Sequence, residues 1–126
     1  MLFRSNVVKS SRSHFFTNEY LAAMRAAGLH HVDGFPLPDW SVESSLELMD
    51  LCGIKTSVLS ISAPGTEFVP AASARMLTRK INEQQAKLVA QYPHRFGGFA
   101  LLPLPDVDGA LLEMRLTHSM FLGLTG

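Results

Sequence analysis

The sequence predicts an α/β protein with a parallel sheet, and three observations carry that reading. Between Met49 and Met114 the chain runs helix, apolar run, turn, helix, apolar run, turn, helix, the repeating order of a parallel α/β fold. Each apolar run is closed by proline or glycine, SAPG at 62–65 and PLP at 103–105. The helical stretches start behind Thr17, Ser41 and Asp106, residue types whose side-chain oxygens satisfy free N–H groups at a helix start.

The elements follow in order. Leu2, Phe3, Val7 and Val8 are the apolar members of a short first strand, interrupted by Arg4, Ser5 and Asn6. Thr17 caps a helix to about Ala27, with Glu19 in its favourable first turn and Gly28 as its stop. Leu29 to Asp39, with HHVDGFPLPD, holds too much glycine and proline for regular structure and reads as a loop. Ser41 caps a second helix whose inward stripe is Val42, Leu46 and Met49, ended by Gly53.

Ile54 to Ile61 is a second strand with an apolar centre at Val58, Leu59 and Ile61. A long helix spans Ala71 to Gln91, with Ala74, Leu77, Ile81 and Leu88 on one side, and Tyr92-Pro93 stops it. Phe96 to Leu102 is a third strand. Asp106 caps a last helix with an inward stripe of Val107, Ala110, Leu111, Met114, His118 and Phe121. The final FLGLTG reads as the start of a fourth strand.

Composition narrows the class. A chain of 126 residues, 47% hydrophobic and 17% charged, has the makeup of one folded domain. Eleven basic residues balance eleven acidic ones, so bulk charge points to neither nucleic acid nor a membrane surface as partner. The single cysteine, Cys52, excludes an internal disulfide and a multi-cysteine metal site, and at the end of an amphipathic helix it reads as a buried thiol. The first eighteen residues carry Arg4, Lys9, Arg12, four serines and no acid, a transit-peptide composition. A cytoplasmic location is expected, with mitochondrial import as the alternative.

Certain stretches then carry a resemblance: SRSHFFTNEYLAAMRAAG, WSVESSLELMDLCGIKTSVLSISAPG and ARMLTRKINEQQAKLVAQYPHRFGGFALLPLPDVDGALLEM. Together they resemble the amidohydrolase-related family, in the branch of aminocarboxymuconate-semialdehyde, γ-resorcylate and 6-methylsalicylate decarboxylases. The likeness spans residues 7–126, and MDLCGI, SAPG, RKINE and YPHRFGGFALLPLPD are its most specific parts.

The resemblance implies a distorted TIM (β/α)8 barrel, of which residues 1–126 hold about the first three β-α units, the N-terminal portion of one domain. It implies a divalent metal, zinc or another, at the carboxyl ends of the strands. His14, Ser60 to Ser62 and Pro103 sit at such strand exits. The family's first metal ligands form a His-x-His or Glu-x-His pair, whose members two apart on a strand share a face. Here the triplet is Arg12-Ser13-His14. Arginine has no lone pair to give, so His14 alone carries over as a ligand.

The family's catalytic aspartate lies beyond this chain, so no catalytic residue is assigned and metal binding by the chain alone is not expected. The implied activity is decarboxylation of a small carboxylated cyclic or unsaturated substrate, the metal acting as a Lewis acid or activating water. The alternatives are a hydrolase of the same superfamily and a non-catalytic remnant or fragment. A homo-oligomer is allowed, and so is a second chain completing the barrel.

The other candidates have plainer readings. His30 and His31 belong to the proline-rich loop, His94 suits a helix C-terminus, and His118 reads as a core or interface residue. Arg79-Lys80 and Asn82-Glu83 read as solvated or as helix–helix pairs, and Trp40 and Phe35 as packing residues or an aromatic lid. Asp33 and Asp39 have no recognisable partner for acid–base work.

Overall fold

The computed structural model describes residues 9–32, 34–37, 39–61 and 64–125, with the side chains of all of these except 12, 13 and 119–125. Strand β1 is Ser10–His14 and helix α1 is Asn18–Ala26. The two-residue strands β2, His31–Val32, and β3, Phe35–Pro36, precede helix α2, Val42–Cys52. Strand β4, Thr56–Ser60, leads to helix α3, Ala71–Gln91, and strand β5, Phe96–Gly98, leads to helix α4, Val107–Thr125.

The helix limits follow from their caps. Thr17 Oγ1 accepts the Tyr20 N–H at 3.0 Å and opens α1. Ser41 Oγ accepts the Ser44 N–H at 3.1 Å and opens α2. At the far end of α2, Gly53 turns left-handed at φ +67°, a conformation costly for other residues, and returns the Ile54 N–H to the Met49 carbonyl at 2.8 Å. Asp106 Oδ1 accepts the Gly109 N–H at 3.0 Å and caps α4.

The main sheet is parallel, in the order β1-β4-β5. Its register sets Arg12 opposite Val58, His14 opposite Ser60, and Val58 opposite Gly97. Successive strand residues alternate between faces, so the sheet has two distinct sides. One carries Ser11, Ser57, Leu59, Phe96 and Gly98, and the helices collect there. Leu59 and Phe96 join Phe15, Tyr20, Met24 and Ile81 in the core. Each such side chain contributes about 2 kcal/mol by leaving water. The other side carries Ser10, His14, Thr56, Val58 and Gly97, all at least partly exposed, with Ser60 buried at the strand end.

Helix α3 is fastened to the sheet by polar groups as well as by Ala74 and Ile81. Thr78, Asn82 and Gln85 are also buried on it. Gln85 Nε2 donates to the Leu59 carbonyl at 3.0 Å, and a Cβ on Gly98 would lie 2.6 Å from Gln85 Cδ. Only glycine lets that strand approach the helix so closely. Arg79 binds Glu113 of α4, Nη2 to Oε1, at 2.9 Å. The pair is a helix–helix contact of the kind expected of Arg79, and Asn82, fully buried, makes another to the same Glu113.

Five other expectations meet the structure differently or fall outside it. The apolar run Leu2–Val8 lies outside the described residues, and the first described strand is Ser10–His14. The loop expected from Leu29 to Asp39 contains a small antiparallel hairpin, His31 to Pro36 and Val32 to Phe35, turned at Gly34 with φ +83°. The last residues do not begin a strand, since α4 continues to Thr125. No proline interrupts that segment, and an internal glycine costs only about 1 kcal/mol there.

The inward face of α4 is Ala110, Glu113 and Thr117, while Val107, Leu111, Met114 and His118 are exposed. Glu113 wins the inward position because Arg79 and Asn82 both bind it. Cys52 is exposed, because only Met49 is buried on α2 and the chain turns away at Gly53.

Candidate active-site face

The carboxyl ends of the three parallel strands form one rim. β1 leaves it at His14 and passes straight into Phe15 and Phe16, both buried, before α1 begins. β4 leaves it at Ser60, whose carbonyl accepts the Phe15 N–H at 2.9 Å. This bond locks the ends of β1 and β4 side by side. β5 leaves through Phe99, whose N–H reaches the Leu59 carbonyl at 2.9 Å, and runs on to the buried Pro103.

The exit of β5 is held from the helix layer. Asn82 Nδ2 donates to the Leu101 carbonyl at 2.8 Å, and Asn82 Oδ1 accepts the Leu101 N–H at 2.8 Å. The same Nδ2 donates to Glu113 Oε1 at 2.8 Å. Beyond it, Arg75 forks onto Asp106, with Nη2 to Oδ1 at 2.9 Å. The Arg75 guanidinium, and then the Gly109 N–H, hold the Asp106 carboxyl down at about 2. Together these contacts fix the LPLPD turn between α3 and α4.

The exit of β4 is held by Tyr20, whose Oη donates to the Gly65 carbonyl at 2.7 Å. Burial pushes the Tyr20 phenol up to about 12. Trp40 packs edge-on against Phe15 with ring centroids 5.0 Å apart, which makes it a packing residue, whereas Phe35 stands exposed on the hairpin.

No family model matches the chain. It is 44% identical over 105 residues to the decarboxylase yanB of Aspergillus niger, covering 79% of this chain and 28% of that protein. It is 40% identical over 81 residues to a γ-resorcylate decarboxylase of Rhodococcus jostii, covering 62% of this chain and 25% of that protein. A solved amidohydrolase II superposes with a TM-score of 0.83 at 26% identity, covering 90% of this chain and 37% of that one. The chain is a relative of the amidohydrolase-superfamily decarboxylases. A dihydroxybenzoic acid decarboxylase of Polaromonas, solved with manganese and an inhibitor, matches with a TM-score of 0.68 at 31% identity, over 90% of this chain and 36% of that one. The chain thus spans about a third of the length of its decarboxylase relatives or less.

The manganese of that relative poses a test for these residues. A catalytic divalent ion takes about three protein ligands. His14 does lie at the strand exit expected of a ligand, exposed, opposite Ser60. Two residues back on the same strand stands Arg12, a residue type with no lone pair to offer. Among the described residues no three His, Cys, Asp or Glu side chains gather. The remaining histidines are dispersed: His30 and His31 at the hairpin, His94 after α3, His118 on α4. The donors among the described residues do not fit a divalent metal.

Asp33 lies outside the described residues, as do Ser62 and Ala63 of the SAPG turn, and Asp39 is exposed. Two features of the decarboxylase-like rim were missed from sequence. Asn82 fixes the β5 exit, and its signal was its spacing from Ala74, Thr78 and Ile81 on one helix stripe. Gly97 lies on the side of His14 and Val58, which only the strand register could reveal.

Proposed function

We propose that residues 1–126 form the first three β-α units of a (β/α)8 barrel and belong to a decarboxylase of small aromatic carboxylic acids. The observation that carries the reading is the rim itself. His14 and Ser60 end adjacent parallel strands on the side away from the helices, where a barrel of this class places its reacting groups. Relatives named for decarboxylating γ-resorcylate and dihydroxybenzoic acid supply the substrate class. In that barrel the exposed strand side would become the lumen, and β5 would pair with a fourth strand.

The chain on its own does not catalyse the reaction in this reading, because no set of three metal donors gathers among the described residues. A second reading, a non-catalytic relative, is favoured by one residue: Arg12, where the resemblance calls for a ligand.

One experiment separates the two. Residues 7–126 replace the matching segment of a γ-resorcylate decarboxylase, once as they stand and once with Arg12→Glu. CO2 release from 2,6-dihydroxybenzoate is followed with added Mn2+. Activity restored by Arg12→Glu supports descent from a working decarboxylase disabled at that position. A folded Arg12→Glu chimera without activity overturns the decarboxylase reading, and manganese-dependent release by the 126-residue chain alone overturns its inactivity.

A further inference from the structure

We infer that the cavity between the start of α3 and the LPLPD turn binds a small apolar α-amino acid, whose carboxylate meets the first N–H groups of α3 and the Thr66 hydroxyl and whose ammonium meets Glu67. The site lies between the β4–α3 and β5–α4 connections, apart from His14 and Ser60, and does not rest on the proposed function.

Helix α3 opens differently from its neighbours. Helices α1, α2 and α4 start behind Thr17, Ser41 and Asp106, whose side chains accept first-turn N–H groups. The 21-residue α3 starts behind Pro70, which makes no side-chain cap, and it carries no acid in its first turn. The N–H groups of Ala71, Ala72 and Ser73 have no partner among the described residues. Open donors at the positive end of a long helix favour an anionic group.

A second group makes this helix start a site. Thr66 is 2% exposed, and its Oγ1 is buried with no hydrogen-bond partner among the described residues. Native proteins rarely leave a buried hydroxyl unpaired, because it has given up water for nothing in return. The Val69 N–H returns to the Thr66 carbonyl at 3.3 Å, which folds Thr66 back toward the start of α3. Thr66 lines the same cavity as Ala71 and Ala74 of that helix. Hydroxyl and amide donors thus border one space, and both can serve a carboxylate.

The rest of the lining selects the ligand. The cavity measures about 500 Å3, within the roughly 300–1,000 Å3 typical of small-molecule sites. Its walls are apolar, with Pro103 fully buried and Leu104 half exposed at the mouth. Two carboxylates also line it. Asp106 is already taken by Arg75 and by the Gly109 N–H. Glu67 is exposed and makes no hydrogen bond or ion pair among the described residues. A simple anion in this cavity is repelled by Glu67. A ligand with an ammonium beside its carboxylate turns that repulsion into a charge-assisted contact. Donors, one free acid and apolar walls together match a zwitterion with a hydrocarbon side chain.

The test titrates the 126-residue chain with L-leucine, 4-methylpentanoate and 3-methylbutylamine while its amide resonances are followed by NMR. Leucine is expected to move the Thr66, Ala71, Ala72 and Ser73 amides saturably. The other two compounds should bind about tenfold more weakly or worse, since each forfeits one charged contact. Thr66→Val keeps nearly the same shape and deletes the unpaired hydroxyl. It is expected to melt no lower than the native chain while binding leucine about tenfold more weakly. Glu67→Gln, at an exposed position, should weaken leucine similarly and leave 4-methylpentanoate unaffected or tighter.

The absence of a saturable shift with leucine overturns the inference. So does 4-methylpentanoate binding as tightly as leucine, which would leave an anion site without the ammonium contact. Unchanged leucine binding in Thr66→Val or in Glu67→Gln also overturns it. A Thr66→Val chain that melts lower than the native one, or fails to fold, would show that the hydroxyl is satisfied within the protein, and overturns it as well. None of these results bears on the decarboxylase reading, which is judged by CO2 release from the chimera.

Discussion

The side chain of Asn82 pairs with the backbone of Leu101 as a neighbouring strand would, donating to its carbonyl and accepting its N–H, both at 2.8 Å. The ladder of β5 ends at Gly98, and a helix side chain takes over two residues beyond Phe99. This hands the chain from the sheet to the LPLPD turn with no buried peptide group left open at Leu101. Glu113 and Arg79 extend the contact across to α4, so one amide ties sheet exit, α3 and α4 together.

Asn82→Ala is therefore expected to destabilise the fold by about 3 kcal/mol, since it strands two buried backbone groups and leaves Glu113 Oε1 with Arg79 as its donor. Asn82→Asp is expected to cost at least as much. It keeps an acceptor for the Leu101 N–H but sets a second carboxylate beside Glu113. Urea unfolding of the three proteins measures this, and a loss below about 1 kcal/mol in Asn82→Ala would show that water substitutes for the amide.

How much of this could be read in the sequence depends on what kind of residue marks each feature. The limits of α2 and α3 were legible because Ser41, Gly53 and Tyr92-Pro93 act through local backbone chemistry, which needs no tertiary partner. The buried face of α4 was not legible. Helical spacing alone pointed to Leu111 and Met114, yet Glu113 turns inward because α3 presents Arg79 and Asn82 to it, and Thr117, one turn on, is buried on the same face. Asn82 and Gln85 were unreadable for the same reason, being polar residues whose partners lie far along the chain. In the candidate site, His14 at a strand exit was legible from the triplet, while the companionship of Val58 and Gly97 required the register.

Asp106 gives a pH-dependent prediction. Its folded carboxyl titrates at about 2, below the ordinary value of 3.8, chiefly through the Arg75 hydrogen bond. A depressed folded value means the stabilisation is present above the unfolded value and is lost as pH falls through the folded one. The melting temperature of the native chain relative to Asp106→Asn is expected to shrink between pH 4 and pH 2. Parallel curves would show the exposed ion pair to be without effect, as many are.

Tyr20 supplies the opposite end of the scale. Its folded phenol titrates at about 12 against an ordinary value of 10.0, raised by burial. A raised folded value means the stabilisation is complete below the unfolded value and is lost as pH rises through the folded one. Stability is expected to fall between pH 10 and pH 12, and Tyr20→Phe should lack that component. At neutral pH, Tyr20→Phe leaves the Gly65 carbonyl without its donor and should cost about 1 kcal/mol. Thermal melts across this range check both statements.

Gly98 and Gln85 should show strong coupling. A Cβ at Gly98 would fall 2.6 Å from Gln85 Cδ, closer than any real contact, so Gln85 must move. Its displacement breaks the bond from Nε2 to the Leu59 carbonyl, which then keeps only the Phe99 N–H as donor. Gly98→Ala alone is expected to cost about 2 kcal/mol, in the range of overpacked cores. Gln85→Ala also loses that hydrogen bond, but it vacates the space that the added methyl would occupy. The double variant should therefore be more stable than the sum of the two single losses predicts, by roughly 1 kcal/mol. Strict additivity in a urea-unfolding cycle would mean that the backbone of β5, rather than Gln85, yields to the added methyl.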